Sequence, residues 1–338
     1  MIAVGVDTHK LEHAVCALDP VGQTLAQCSI SASSQGYAEL VRWLGELPDD
    51  VIVGIEGAGS YGAGLCAYLQ DAGIRVVEVE RPRRATRRSR GKSDQIDARL
   101  AAQKVLAQDG LSTPRCGGRR QAMSALLVGY RSCVQERTRV LNELLALHTT
   151  APIALREQLG TGTGKQIATR LLKLRRNPHA RASDQIILDV MRDLAQRVGD
   201  LTRRADTHKA SLDALIRELD PTLLDERGIG PISAAKLLIC DVRRLSGEAA
   251  FARCNGTAPL PASSGQTIRH RLSRGGDRQA NSALHTIALT RARCDPATRA
   301  YIERRLAEGK TRREAMRSLK RHLSRKLYNR LLQIPLTT

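Results

Sequence analysis

Four carboxylic acids in this 338-residue chain stand where they could share hard cations: Asp7, Glu56, Asp94 and Asp97. Asp7 closes the apolar run Ile2-Ala-Val-Gly-Val6, and Glu56 closes Val51-Ile-Val-Gly-Ile55. A hydrophobic run that ends on an acid predicts a strand whose last side chain emerges at a sheet edge. Asp94 and Asp97 lie three apart at the head of Asp94-Gln-Ile-Asp-Ala-Arg-Leu-Ala-Ala102, so a helix there puts both on one face. Oxygen ligands of this kind suit Mg²⁺. One or two such ions beside a phosphate would neutralise the charge that develops during phosphoryl transfer. Each acid alone reads as a surface charge, and it is the joint pattern that predicts a metal site. Thr8-His9-Lys10 extends the first strand's loop, where His9 either touches a substrate or caps the turn.

A second group of reactive residues lies far downstream, in Pro259-Leu-Pro-Ala-Ser-Ser-Gly-Gln-Thr-Ile-Arg269. A serine attacks phosphorus when its proton is drawn off and nearby arginines stabilise the added charge. Ser264 precedes Gly265, with Arg269, Arg271 and Arg274 following. From spacing alone a Ser-Gly pair is weak evidence, and an ordinary turn serine is the plainer reading. Gly160-Thr-Gly-Thr-Gly-Lys165 imitates a phosphate loop but fails, because Leu159 and Gln166 occupy the positions that need Gly and Ser/Thr. It reads as a flexible turn. Gly228-Ile-Gly230 opens a helical stretch in the manner of a helix-hairpin-helix turn, whose amides approach a phosphate. An interhelical turn with no ligand is the alternative.

The elements that must position the first group alternate strand and helix. β-like runs cover 2–7, 13–18 and 23–31, followed by a helix over 35–47, a strand at 51–56, a helix over 61–72 and a strand at 75–80. This order resembles an RNase H-like fold, with parallel pairing across the helical crossovers. A basic loop from Arg81 to Lys92, containing Arg87 and Arg88, leads into the Asp94 helix. Residues 120–148 and 183–219 predict long helices. The second keeps apolar or small residues at 187, 190, 194, 198, 201, 205, 212, 215 and 219, broken by His208. An intrachain hairpin and an intersubunit coiled coil are equally compatible with that pattern. The division expected is an α/β domain over 1–108, a helical coiled-coil linker and oligomerisation region over 109–220, and a mainly α domain over 221–338.

Charge is unevenly distributed. The chain carries a formal net +20, yet residues 1–56 hold eight acids against Lys10 and Arg42. Residues 269–330 hold eighteen Lys/Arg against five Asp/Glu, which predicts a phosphate-backbone surface with salt-sensitive binding. Aromatics make up only 2% of the residues, which disfavours a single-strand binder built on stacking. Eight scattered cysteines form no C-x-x-C pair, so reduced thiols are expected rather than zinc or a disulfide framework. No membrane span or signal peptide is expected, and the location implied is the cytoplasm.

Five blocks carry a family resemblance: Gly5-Val-Asp-Thr-His-Lys10, Ile55-Glu-Gly-Ala-Gly-Ser-Tyr61, Lys92-Ser-Asp-Gln-Ile-Asp-Ala-Arg99, Gly228-Ile-Gly230, and Gly256-Thr-Ala-Pro259 followed by Ser264-Gly265. In order and spacing they resemble the DEDD transposases of insertion sequences, the recombinases guided by a bridge RNA. The resemblance implies a RuvC-like N-terminal domain, a coiled-coil linker and a C-terminal transposase domain. It implies Mg²⁺ on Asp7, Glu56, Asp94 and Asp97, and Ser264 as a nucleophile that forms a covalent phosphoserine link to DNA. It implies a basic contact at Arg269, and further nucleic-acid contacts are expected at Arg271, Arg274, Lys92, Arg87, Arg88, Gly228 and Gly230. It also implies a homo-oligomer, dimer or tetramer, acting on double-stranded donor and target DNA chosen by a structured guide RNA, in a bacterial cytoplasm and on the nucleoid when active. A RuvC-like junction nuclease using water, and a non-catalytic nucleic-acid-binding protein, stay open as alternatives. An actin-like sugar kinase fits poorly, since His9-Lys10 stands where a small phosphate loop is needed.

Overall fold

The computed structural model describes residues 1–80, 93–114, 117–177, 180–262, 270–271, 273 and 275–334. It comprises two units, Met1–Gln121 and Ala122–Leu336. In the first, β1 (Ile2–Thr8), β2 (Glu12–Leu18) and β3 (Thr24–Ser31) form an antiparallel meander. β4 (Val51–Glu56) and β5 (Arg75–Val79) follow as parallel strands, reached through α1 (Ser34–Gly45) and α2 (Ala63–Asp71). α3 runs from Asp94 to Ala107. With β6 (Leu111–Ser112) at one edge, the sheet order is β3-β2-β1-β4-β5-β6.

Strand alternation sorts side chains to two faces. Val4, Val6, Val53 and Ile55 pack on Leu40 and Leu44 of α1 and on Leu65 and Leu69 of α2. Each of these leucines, fully removed from water, contributes about 2 kcal/mol. Ala3 and Val79 face the other way, onto Ala101 and Val105 of α3. Ala14 and Cys16 of β2 meet Ala98 and Ala102 on that same side. β6 (Leu111–Ser112) lies beyond the 1–108 bound expected for the α/β domain, yet it pairs antiparallel with β5 and extends the sheet. A two-residue strand leaves no periodic signal. Cys66 also departs from the expectation of reduced thiols, being disulfide-bonded, whereas Cys16, Cys28, Cys133, Cys240, Cys254 and Cys294 are free.

The second unit is helical. α4 (Gly118–Thr150) and α7 (Ala182–Leu219) are its longest elements, with α5 (Ile153–Leu159) and α6 (Gly164–Lys173) between them. Cys133, Val140 and Leu144 of α4 share a core with Leu188, Met191, Leu194, Ala195, Val198, Leu201 and Ala205 of α7. Arg137 donates to Thr202 at 3.3 Å, and a Cβ on Gly129 would lie 2.8 Å from the His208 ring. As one helix's numbers rise the other's fall, so the two pair antiparallel within the chain. His208 interrupts the apolar stripe because it covers Gly129. The stripe itself shifts at its start, where Leu188 and Met191 are buried and Val190 is 48% exposed.

The Gly160 segment is an ordered helix start rather than a loose turn. Thr163 and Gln166 form a reciprocal capping box at the head of α6. The residue that spoils the phosphate-loop pattern therefore has a structural task. The remaining elements are α8 (Pro231–Ile239), α9 (Glu248–Cys254), the two-stranded β7 (Leu260–Pro261) and β8 (His270–Arg271), α10 (Arg278–Cys294), α11 (Pro296–Ala307) and α12 (Arg312–Leu332). Phe251, Leu284, Ile287, Leu323 and Leu327 lie in their common core.

Candidate metal centre

The site is assembled by strand register and by two missing side chains. Val6 pairs with Ile55 in the parallel β1–β4 ladder, so Asp7 and Glu56 follow at the same level on adjacent strands. Gly5 and Gly54 are also register partners, and each is two residues before its acid. Alternation therefore puts both glycines and both acids on the α3 face. A Cβ on Gly5 would lie 2.1 Å from the Ala98 carbonyl oxygen and 2.2 Å from the Ala102 nitrogen. A Cβ on Gly54 would lie 2.4 Å from Val105 Cγ2. The backbone of α3 thus presses directly onto the sheet, with the small residues Ala98, Ala101 and Ala102 beneath it. This close approach carries the first turn of α3, with Asp94 and Asp97, to the edge where Asp7 and Glu56 end. The sequence displays the device as Gly-Val-Asp and Gly-Ile-Glu at the ends of the two strands.

Asp7 is 6% exposed and Glu56 is 1% exposed. Thr8 Oγ1 donates to the Glu56 carbonyl at 2.8 Å, tying the two strand ends together. Burial raises the Asp7 pKa above the ordinary carboxylate value; His9 opposes that shift, and the charges of Asp97 and Asp94 add to it. The same couplings place both helical carboxylates within electrostatic reach of Asp7. His9 Nε2 lies 3.0 Å from Asp7 Oδ2 and 3.3 Å from Asp94 Oδ1. One ligand atom from each of Asp7, His9 and Asp94 falls within 4.8 Å of the others, an arrangement able to hold a metal ion. Hard oxygens dominate the donor set, so the residues present fit a divalent cation such as Mg²⁺. His9 is the residue that sequence reading undervalued. Its signal was its place two residues after a strand-end acid, on a turn that folds its ring back over that acid.

Of the other expected contacts, Gly228, Gly230 and Arg271 fall among the described residues. Gly228 has φ +81° and is turned inward, where a Cβ would lie 3.0 Å from the Ile287 carbonyl oxygen. Gly230 is the N-cap of α8, with open space where a Cβ would stand. Arg271 is exposed on β8. Ser263, Ser264, Gly265, Arg269, Arg274, Lys92, Arg87 and Arg88 lie outside the described residues. Among the described residues no helix is long and apolar enough to cross a membrane.

A meander followed by two parallel strands, acids at the ends of β1 and β4, and a helix that brings two further acids to them define an RNase H-like domain of the DEDD type. Residues 4–151 match a family model described as transposase, and residues 221–303 match one described as transposase of the IS116/IS110/IS902 family. The chain belongs to the IS110-family DEDD transposases. It is 26% identical to the 43.6 kDa protein of insertion element IS110 from Streptomyces coelicolor, over 95% of this chain and 91% of that one. It is 25% identical to the 42 kDa protein of insertion element IS900 from Mycobacterium paratuberculosis, over 94% of this chain and 92% of that one. A transposase is a DNA-processing enzyme, and the basic half of the chain suits such a substrate.

Proposed function

We propose that this transposase cleaves and exchanges DNA strands through a covalent phosphoserine at Ser264, with Asp7, Glu56, Asp94 and Asp97 holding one or two Mg²⁺ ions. The observation that carries the reading is the shared face of Asp7 and Glu56, held by the Gly5–Gly54 pair under the helix that bears Asp94 and Asp97. When bound, Mg²⁺ would supply the positive charge that stabilises a phosphoryl-transfer transition state. The acids would hold that charge at a fixed sheet edge, where burial raises the Asp7 pKa.

In the proposed reaction Ser264 Oγ attacks phosphorus, and the bond from phosphorus to one deoxyribose oxygen breaks. That oxygen leaves as a hydroxyl, taking up a proton equivalent to the one Ser264 gives up. A hydroxyl of the partner strand then attacks the phosphoserine, forms the new phosphodiester and frees the serine. The phosphoester is conserved throughout, so the cycle needs no nucleotide cofactor. Arg269, Arg271 and Arg274 are assigned to the phosphate beside Ser264, and Lys92, Arg87, Arg88, Gly228 and Gly230 to the nucleic-acid backbone. The reading includes a structured guide RNA that selects donor and target DNA. It also includes a homo-oligomer, dimer or tetramer, in which the serine and the carboxylates of different subunits combine. The three-part division at 108 and 220 belongs to the same reading.

The test is trapping. Incubation with labelled DNA, guide RNA and Mg²⁺, followed by denaturing electrophoresis, should yield a protein–DNA adduct that is absent in Ser264→Ala. Cleavage that persists in Ser264→Ala without an adduct would replace this reading with a nuclease that uses water.

A further inference from the structure

The second unit contains a cavity of about 840 Å³ walled by Gly256–Pro259, by β8 and by the α11–α12 corner. Its lining includes Arg271, Lys310, Arg317 and Lys320. Lys320 is the informative member. It is 7% exposed, and its Nζ donates to Asn281 Oδ1 at 2.7 Å. Among the described residues no carboxylate lies within ion-pair distance of it. A lysine ammonium has three donors, and a buried one left without a counter-charge is costly.

The other cations of the wall differ in this respect. Arg321 is paired with both oxygens of Glu248, and Arg305 with Glu308. Arg317 stands 4.0 Å from Glu314, whose carboxylate already accepts from the Thr311 amide and hydroxyl. Lys310 and Arg271 form no ion pair among the described residues. Glu314 is the one carboxylate among the described lining residues, so the cations of the wall outnumber it and are only partly compensated.

Lys320 is also held in place. Asn281 Nδ2 donates to the Asn255 carbonyl at 2.6 Å, while its Oδ1 accepts from Lys320. Asn255 is fully buried; its Nδ2 donates to Ser324 Oγ at 2.8 Å and its Oδ1 accepts from Thr257 Oγ1 at 2.6 Å. This network fixes a lysine and a threonine on the same cavity wall before any ligand arrives. Preorganisation of that kind favours a specific contact over a diffuse charged surface.

We propose that this cavity receives a phosphodiester of a DNA strand, with Lys320 taking its charge at the floor and Lys310, Arg317 and Arg271 at the rim. The volume accommodates a nucleotide, and the described lining offers cations, hydroxyls and the imidazoles of His270 and His322, with no Phe, Tyr or Trp face for a base. β7 and β8 flank in sequence the residues that carry Ser264, so the assignment of this phosphate to the reacting strand rests on the function proposed above.

The experiment is binding without chemistry. The full-length chain in a Ser264→Ala background, with EDTA present, is titrated with a fluorescein-labelled DNA duplex at several KCl concentrations. Lys320→Met should weaken binding roughly 10-fold, as expected for loss of a hydrogen bond to a charged group. It should also lower the slope of log affinity against log salt by about 1, and Lys320→Arg should recover most of the loss. Arg203→Gln, which removes an equal charge from the exposed face of α7, should change affinity less than 2-fold, about the scale of an exposed charge.

Unchanged affinity and slope in a folded Lys320→Met would overturn the proposal, as would an equal loss in Arg203→Gln. A loss confined to a labelled RNA hairpin in place of DNA would overturn it as a DNA site. If Lys320→Met fails to fold, Lys310→Gln combined with Arg317→Gln carries the same expectation and the same refutation. Because neither metal nor serine takes part, failure of the phosphoserine reading leaves this result standing, and the reverse also holds.

Discussion

The acidic edge of the first unit and the basic cavity of the second solve opposite electrostatic problems. At the edge, backbone geometry forces like charges together: strand register aligns Asp7 with Glu56, and a pair of glycines draws Asp94 and Asp97 in behind them. The cavity instead relies on side-chain hydrogen bonds, through Asn255 and Asn281, to hold a lone lysine against its own desolvation. One site gathers carboxylates around His9, and the other gathers lysines and arginines. The difference shows that one chain can concentrate opposite charges by two different means, backbone register for the carboxylates and side-chain hydrogen bonds for the lysine.

The largest expected effect comes from removing a charge at the edge while keeping its shape. Glu56→Gln should lower DNA cleavage by roughly 10³-fold, as loss of one preorganised electrostatic contact does, while duplex binding in EDTA stays within 2-fold of the parent. Cleavage rates and anisotropy titrations check the two halves. Equal loss of both would make the acids structural and collapse the contrast with the cavity.

Next is the packing that creates the edge. Gly54→Val should destabilise the fold by about 3 kcal/mol, since overfilling a packed core costs of this order and the new side chain would meet Val105 and Val79. Urea denaturation followed by circular dichroism measures it. A stable Gly54→Val with intact cleavage would show that close helix approach is not what positions Asp94 and Asp97.

A smaller and pH-dependent effect concerns Asp7. Its folded pKa is raised above the ordinary carboxylate value, so the folded protein holds that proton where the unfolded chain has released it. Apo stability should therefore fall as pH rises from the unfolded value through the raised folded one. Asp7→Asn should flatten this dependence. Added Mg²⁺ should stabilise the parent above that window, by about 2.7 kcal/mol at a hundred times its dissociation constant, and Asp7→Asn should lose that gain. Melting curves at several pH values with and without Mg²⁺ decide it; a Mg²⁺ shift that survives in Asp7→Asn would move the metal elsewhere.

The smallest effect lies at the rim of the cavity. Thr311 caps α12 in a reciprocal box with Glu314. Thr311→Ala should cost about 1 kcal/mol of stability, with little change in cleavage at saturating DNA. Thermal unfolding beside a cleavage assay tests this, and a large loss of cleavage would draw Thr311 into the DNA site.

Much of the first unit is legible in the order of its residues. Strand-end acids follow from a two-residue alternation that stops on Asp7 and Glu56, and a helical Asp94–Asp97 pair follows from a spacing of three. Both are local patterns. The clamp behind them is less visible, because Gly5 and Gly54 matter only once a helix lies across them. His9 is ambiguous for the same reason, since its ring reaches Asp7 and Asp94 through a turn whose course depends on the β1–β2 pairing. Periodicity leaves the hairpin of α4 and α7 as one of two equal readings, and the His208 ring over Gly129 decides for it.

By itself the sequence determined the order of strands and helices in the first unit, the place of Asp7 and Glu56 at strand ends and of Asp94 and Asp97 in one helical turn, and the concentration of positive charge downstream, because each is written in neighbouring residues. Only the tertiary structure decided that Lys320 is buried beside Asn281, and that residues from three distant segments enclose one cavity. Burial and counter-charge are properties of what surrounds a side chain, and for Lys320 those surroundings come from parts of the chain dozens of residues away.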